Sequence, residues 1–315
     1  MKVSIGIPVY NSAAWVAAAI ESALNQTWPD KEVIVVDDGS TDRTPEVCAQ
    51  YYEHVIYTRQ EYAGANVARN RILDLASGDW IQYLDVGDYL LPEKVKTQLL
   101  SVPAESTPDL IFSPHRCEWW RDGVLVKEWC RRFTSPQDPL RTWLRLEFGH
   151  AAALLVRRSA LLETGGWDES LAAGEVNELL LRLILHQRCF HYADAPLSVL
   201  RRGCGQPGYG RHPNRARLIC ASLIDSLQQE LIDRGEWDDS LQDLADRQRF
   251  RLARLIAATD LPSAVACYLT PQERNLVRHR YATSSWRVRS MFYLFGFERA
   301  ERVARVLRCQ GRPWI

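Results

Sequence analysis

Three short apolar runs, Val3-Ser-Ile-Gly-Ile-Pro-Val9, Glu32-Val-Ile-Val-Val-Asp37 and Trp80-Ile-Gln-Tyr-Leu84, each break off in a polar turn. Unbroken apolar runs of this length are what strands covered on both faces look like. Between the runs the spacing is helical. Trp15, Val16, Ala19, Ile20, Ala23 and Leu24 recur on one face of a helix that Asn11 or Ser12 caps and that reaches about Asn25. Thr41 or Asp42 caps a second helix, to about Tyr52, and Gly64 opens a third, to Ala76. With Val55–Thr58 as a further strand, the series is β-α-β-α-β-α-β. That order predicts an α/β domain with a mostly parallel sheet and helices on both faces.

In such sheets ligands gather beyond the carboxyl ends of the strands, at the point where strand order reverses. Two strand ends are therefore of interest. Asp37-Asp38-Gly39-Ser40 supplies a carboxylate able to accept a base imino proton or ribose hydroxyls. Asp85 and Asp88, after the Trp80 strand, supply oxygens suited to Mg²⁺ or Mn²⁺. Arg69, on the helix between them, is placed to hold phosphate. Taken singly, each has an ordinary structural role: Asp38 as a turn residue, Asp88 as a cap for the helix near Pro92, Arg69 as a solvated charge. Their convergence on one sheet edge favours a nucleotide site. Neither G-x-G-x-x-G after the first strand nor G-x-x-x-x-G-K-[ST] is present, which argues against a dinucleotide enzyme and a P-loop nucleotidase.

The second half of the domain is less regular. Pro92–Leu100 and Pro139–Leu146 read as helices, and Asp109–Ser113 as a strand. Cys117–Trp120 and Leu125–Trp129, around Arg121-Asp-Gly123, read as a hairpin. Ala152–Val156 is a strand, and Glu175–Leu185 a helix with Leu180, Leu181 and Ile184 inward. Phe190–Ala193 and Leu197–Leu200 are expected to finish the sheet. A Gly-rich stretch, Arg202–Gly210, follows, and everything after Pro213 looks helical. Leu223, Ile224, Leu227 and Leu231 form one apolar stripe; Leu241, Leu244, Leu252, Leu255 and Ile256 form another. Pro262 and Pro271 begin later helices. On the last helix Glu298–Arg302 and Glu301–Arg305 are expected as i,i+4 pairs on its wet side. The domain division is 1–205 and 206–315.

Composition excludes several alternatives. Lys+Arg and Asp+Glu are equal at 39 each, so no overall field points to nucleic acid. The eight cysteines show neither C-x-x-C pairs nor Cys/His ligand spacing. No apolar run approaches the ~18 residues of a membrane span. The chain opens on a strand without a signal-peptide pattern, so a cytoplasmic location is expected. The tail concentrates Arg274, Arg278, Arg280, Arg287, Arg289, Arg299, Arg302, Arg305 and Arg308 among aromatic residues. That pattern suits peripheral contact with an anionic inner membrane face, or a homodimer surface through the C-terminal helices.

Val3–Asn11, Glu32–Asp42, Ala68-Arg-Asn70, Gly78-Asp-Trp80 and Leu84-Asp-x-x-Asp88 with Pro92, in this order and spacing, resemble the family 2 glycosyltransferases with the GT-A fold. The resemblance covers about the first 200 residues. It implies inverting transfer of a sugar from a nucleotide diphosphate sugar, a UDP-sugar above all, with Mg²⁺ or Mn²⁺. The acceptor would be a hydroxyl of a glycan, a lipid-linked saccharide or a small molecule. By the same resemblance Pro8 and Tyr10 flank the base, Asp38 contacts base or ribose, Arg69 lies near the nucleotide, and Asp85 opens the Asp-x-Asp motif.

Two positions depart from that family's pattern. Its usual second metal-ligating Asp is Gly87 here, so Asp85 and Asp88 are the expected metal ligands. Its usual catalytic carboxylate, counted back from Glu178-Leu-Leu-Leu-Arg182, falls on Val176. Glu175 and Glu178 are then the candidate catalytic residues, Glu175 foremost because it starts the helix. The alternative is a catalytically impaired member that serves as a nucleotide-sugar-binding or partner protein.

Overall fold

Helical returns carry each apolar run back to the same end of the sheet, so the runs pair in parallel. In a computed structural model of the protein, residues 1–148, 150–203, 213–268, 297–302 and 304 are described. The chain forms two compact units, Met1–Arg211 and His212–Ile315. The expected boundary at 205/206 falls among residues 204–212, outside the described ones.

The first unit runs β1 (Val3–Val9), α1 (Val16–Leu24), β2 (Lys31–Asp37), α2 (Thr44–Ala49), β3 (Ile56–Arg59), α3 (Ala65–Leu75), β4 (Trp80–Tyr83), β5 (Tyr89–Leu90), α4 (Lys94–Leu100), β6 (Leu110–Phe112), β7 (His115–Arg121), β8 (Val124–Arg131), α5 (Pro139–Leu144), β9 (Leu154–Arg157), α6 (Arg158–Glu163), α7 (Glu175–Leu185), β10 (Phe190–Tyr192) and β11 (Ser198–Arg202). Seven strands make the main sheet in the order β10-β6-β9-β4-β1-β2-β3. β3, β2, β1 and β4 are mutually parallel, and β9 is antiparallel to both its neighbours. Val3, Ile5, Ile7, Val33, Val35, Trp80 and Ile111 of this sheet share a core with Val16, Ile20 and Val95.

Close approach of α3 to β1 depends on Gly6. A Cβ there would lie 2.3 Å from Cγ2 of Ile72, so only glycine lets this helix settle at its observed depth. Pro8 sits inside a central strand, where its missing N–H ought to break a ladder. It does not, because of register. Leu84 N–H donates to Gly6 O, and Asp38 N–H donates to Val9 O. Even-numbered residues of β1 therefore face β4 and odd-numbered ones β2. The β1–β4 register ends at Gly6–Tyr83, so Pro8 faces a flank that β4 has already left.

Two helix starts differ from expectation. α1 begins at Val16 rather than beside Asn11 or Ser12, and α2 is preceded by Arg43 without a side-chain cap. Asn11 adopts a positive φ of 45° and turns its side chain to the neighbouring loop, where Oδ1 accepts from Thr41 and Asp42 N–H. Asp42 accepts from Thr44 N–H at 2.9 Å. These candidate caps knit two loops together at the carboxyl ends of β1 and β2.

A further correction concerns Leu197–Leu200. It does not finish the main sheet. β11 belongs to a second sheet, β5-β11-β7-β8, where it pairs in parallel with β7 and antiparallel with β5. The β7–β8 hairpin turns at Asp122 and Gly123, both with positive φ, as a tight two-residue turn demands. Its β7 side leaves an unpaired row of amides, and β11 satisfies that row. α7 buries Leu179, Leu180, Leu181 and Leu183 rather than Ile184.

The second unit contains α8 (Pro213–Asp233), α9 (Asp239–Ala257) and α10 (Leu261–Tyr268). Ile224, Leu227, Leu231, Leu241, Leu252 and Ile256 are buried as the stripes predict, but Leu255 is exposed. Asp238 caps α9 through Leu241 N–H. Glu298 and Arg302 pair at 2.6 Å as expected. Glu301 does not lie on a wet face. It is buried and bound to Arg254 at 2.9 Å, and Arg305 is outside the described residues. Of the tail arginines only Arg299 and Arg302 are described, as is Pro262 but not Pro271. Among the described residues no helix is long and apolar enough to cross a membrane.

Candidate active site

Where β4 stops, the chain turns through Asp85, Val86, Gly87 and Asp88, with Asp88 N–H closing the turn on Asp85 O. Gly87 takes φ +101°, a conformation that only glycine adopts readily. The turn folds Asp88 back beside Asp85. Asp88 Oδ1 accepts from Arg201 N–H at 3.0 Å, and its Oδ2 lies 3.1 Å from Nε2 of His150. One ligand atom from each of Asp85, Asp88 and His150 falls within 4.8 Å of the others.

Electrostatics sharpen this cluster. Burial and then the charge of Asp85 push the Asp88 carboxyl well above its ordinary range. Burial lowers His150 to about 4, so its imidazole is neutral at physiological pH and meets Asp88 through a hydrogen bond. Burial is the largest influence on Asp85 and works to raise it, but the basic groups around it, Arg69 first among them, together outweigh burial and hold that carboxyl below its usual range.

Arg69 is the hub of the site. α3 carries it on the face turned to the sheet, one turn from Ile72. Its Nη2 donates to Asp85 at 2.8 Å, and its Nη1 donates to Asn66 Oδ1 at 2.9 Å and stands 3.5 Å from Glu175. The guanidinium also lies over the Trp167 ring at 4.7 Å. Asn66 and Asn70, on the same helix, fix the loop that leads to α7. Asn66 donates to Asp168 O and Leu171 O; Asn70 donates to Trp167 O and accepts from Trp167 N–H. This clasp brings Glu175, the first residue of α7, onto the guanidinium that already holds Asp85.

Glu178 has a different environment. Both its oxygens are held by Arg182, at 2.5 and 2.8 Å, and Arg182 goes on to Thr164 O and Gly166 O. Half-buried Val176 lies between the two glutamates in sequence and brings no acid–base group.

At the ends of β1 and β2, Asp38 is buried and pins the loop that follows β3. Its oxygens accept from Gln60 side-chain N–H and from the Ala63 and Gly64 amides at 2.8–2.9 Å. Gly39 allows that loop to cross closely: a Cβ there would meet Tyr62 N at 2.7 Å. The result places Tyr62 against Tyr10, ring centroids 4.6 Å apart, both exposed. Pro8 thus stands on the flank of β1 that β4 has left, and Tyr10, just beyond the strand, forms the aromatic pair with Tyr62.

Asp38, Arg69, Asp85, Asp88 and Glu175 all lie at the carboxyl-end rim that the sequence points to, and the structure joins the last four through Arg69 and the turn. Two participants carry little signal in the sequence: His150 is available in principle, as are His186 and His191, and Tyr62 is not singled out. His150 reads as a packed or surface histidine, and Tyr62 stands in a polar loop. Nothing in the local pattern of either residue signals a site, because tertiary folding alone brings them in.

A glycosyl transferase family 2 model matches residues 4–162. The uncharacterized glycosyltransferase YibD of Escherichia coli K12 is 33% identical over 162 residues, 46% of this chain and 43% of that protein. Chondroitin synthase of E. coli is 40% identical over 127 residues, 39% of this chain and 18% of that protein. The matched part of the chain thus spans less than half the length of either relative. Among solved structures, S. aureus TarS 1–349 in complex with UDP-GlcNAc superposes with a TM-score of 0.59 at 16% identity, covering all of this chain and 93% of that one. The mannosyltransferase PcManGT from Pyrobaculum calidifontis, with GDP-Man and Mn²⁺, gives 0.55 at 17% identity over 98% and 87% of the two chains. At these identities the likeness concerns the fold, which is the GT-A arrangement.

Proposed function

We propose that this chain, which belongs to glycosyl transferase family 2, transfers a sugar with inversion from a nucleoside diphosphate sugar, a UDP-sugar first among them, to a hydroxyl acceptor. The observation that carries this reading is the grouping of Asp85, Asp88, His150, Arg69 and Glu175 beyond β4. UDP-GlcNAc and GDP-Man in the two similarly folded proteins support a nucleotide-sugar donor.

The residues present fit a divalent ion. Two carboxylate oxygens and an imidazole nitrogen come from separate segments, and burial beside Asp85 makes the Asp88 carboxylate costly without a cation. Asp85, Asp88 and His150 would hold it. When bound, such an ion neutralises charge that grows on the departing diphosphate. The chain's own groups divide the rest. Tyr10 and Tyr62 offer ring faces to a base, and Pro8 leaves the strand flank beside them unpaired. Asp38 lies near the base or ribose and holds the Gln60–Gly64 loop there. Arg69 orients Asp85 and Glu175 together. Glu175 takes the acceptor's hydroxyl proton as the nucleophile forms. Glu178 fixes the first turn of α7 through Arg182.

Titration with UDP-sugars, with and without Mn²⁺, followed by an acceptor screen, tests this reading. Nucleotide binding with turnover supports it. Binding without product over many acceptors favours a nucleotide-sugar-binding or partner protein, for which Val176 is the specific observation. No nucleotide binding overturns both.

A further inference from the structure

The second sheet has two unlike faces. Side chains alternate across a strand, and the registers assign them. One face carries Arg116, Glu118, Glu128 and Arg201, and it is closed by its own contacts: Glu118 accepts from Tyr89 and Trp120, and Arg201 lies over both of those rings. The other face carries His115, Cys117 and Trp119 of β7, paired with Arg131, Trp129 and Lys127 of β8, and Arg202 of β11 beside Trp119.

This second face has three properties together. It begins at the candidate active site, since the His115 ring centroid is 6.4 Å from that of His150, and Arg202 lies in the field of Asp85 and Asp88. It carries two large exposed rings, Trp119 at 42% and Trp129 at 39%. Its charged groups, Lys127, Arg131 and Arg202, are all cationic, and no carboxylate shares those register positions. All of β8 is exposed. His115 and Cys117 are buried, so the open part of this face runs along β8, where Lys127 to Arg131 spans about 13 Å, long enough to underlie an oligosaccharide rather than one sugar. Flat apolar rings suit the apolar faces of sugar rings, and exposed aromatic patches of this kind mark binding surfaces. Lysine and arginine beside them select anions.

We infer that the Trp119–Trp129–Lys127 face of the β7–β8 hairpin is an acceptor-binding track for an anionic glycan chain, bearing carboxylate or phosphate, that leads to the site at Asp88 and His150. The inference rests on the sugar-transfer reading and names its acceptor class.

Isothermal titration of the full chain with a chondroitin oligosaccharide, a ribitol phosphate oligomer and a neutral maltooligosaccharide tests it. Either or both anionic probes should bind, and which one does identifies the anion. The neutral probe should bind at least about tenfold more weakly. Trp129→Ala should weaken the anionic probe about tenfold, and Lys127→Ala should reduce its salt dependence. Both side chains are exposed, and circular dichroism checks that the variants fold. Titration with a UDP-sugar on the same variants should be unchanged. Equal binding of the neutral probe overturns the inference, as does binding that Trp129→Ala leaves intact. UDP binding with no glycan binding overturns it while leaving the donor reading in place. Self-association abolished by Trp129→Ala, seen by light scattering without glycan binding, overturns it in favour of a face between copies. Glycan binding without nucleotide binding would retain the track and sink the transferase.

Discussion

Arg69 shows how much one buried charge organises. It is 3% exposed, and its guanidinium serves Asp85, Glu175 and Asn66 while stacking on Trp167. Arg69→Met should therefore cost about 3–5 kcal/mol in urea unfolding, more than an ordinary surface arginine. Glu175→Gln and Glu178→Gln should separate in kind. The first should lower turnover by about 10²-fold or more with UDP binding kept. The second should lower stability by about 1–3 kcal/mol through Arg182 with turnover per folded molecule largely kept. Equal turnover losses at the two positions would count against Glu175 as the base. His150→Gln should weaken Mn²⁺ binding about 10- to 100-fold, read by electron paramagnetic resonance without any acceptor present. Reinstating acid at Gly87 faces a backbone obstacle, because φ there is +101°; Gly87→Asp carries a strain of about 1–3 kcal/mol. Asp85, Asp88 and Arg69 are legible in the sequence because they stand where a run ends or a helix begins. His150 is not, since 62 positions separate it from Asp88 and no local pattern links them.

At the level of elements, the parallel strands are readable because burial on both faces leaves unbroken apolar runs with turn residues at each end. Of the second sheet only the β7–β8 hairpin is readable; that β11 joins it is decided by the amides β7 leaves open, and β5, two residues long, pairs in turn with β11. Helix starts mislead for a related reason. Asn11 has the chemistry of a cap but spends it on the Thr41–Asp42 amides, and Asp42 divides its oxygens between Thr44 at the start of α2 and the Ala13 amide. α3 is the element on which the site depends most, and its depth depends on Gly6. Gly6→Ala should destabilise the fold by about 1–3 kcal/mol through overpacking on Ile72, and it should also weaken UDP binding, because Arg69 rides on the same helix. A variant with full stability and full nucleotide affinity would show that α3 shifts without consequence.

Over the whole molecule, acid sensitivity has an identifiable source. Glu32 joins Lys2, Ser4 and Ser77, and so ties β1, β2 and the turn before β4. Burial works to raise its pKa, but those bonds prevail and bring it from 4.5 to about 2. A depressed carboxyl stabilises the folded state above its unfolded pKa and loses that contribution as pH falls toward the folded one. Glu32→Gln should therefore be less stable than the parent at pH 6, with the difference shrinking between pH 4.5 and about 2, as denaturant unfolding across that range would record. A change to helical periodicity after Pro213 is legible in the sequence, and the expected boundary at 205/206 lies among residues the structure does not describe. Pro8 has a last consequence at this scale. A strand whose neighbour stops early leaves a flank on which an added extended chain could pair. With no amide hydrogen at that rung, Pro8 leaves only its carbonyl to offer, so β1 makes a poor template for a further strand on that side.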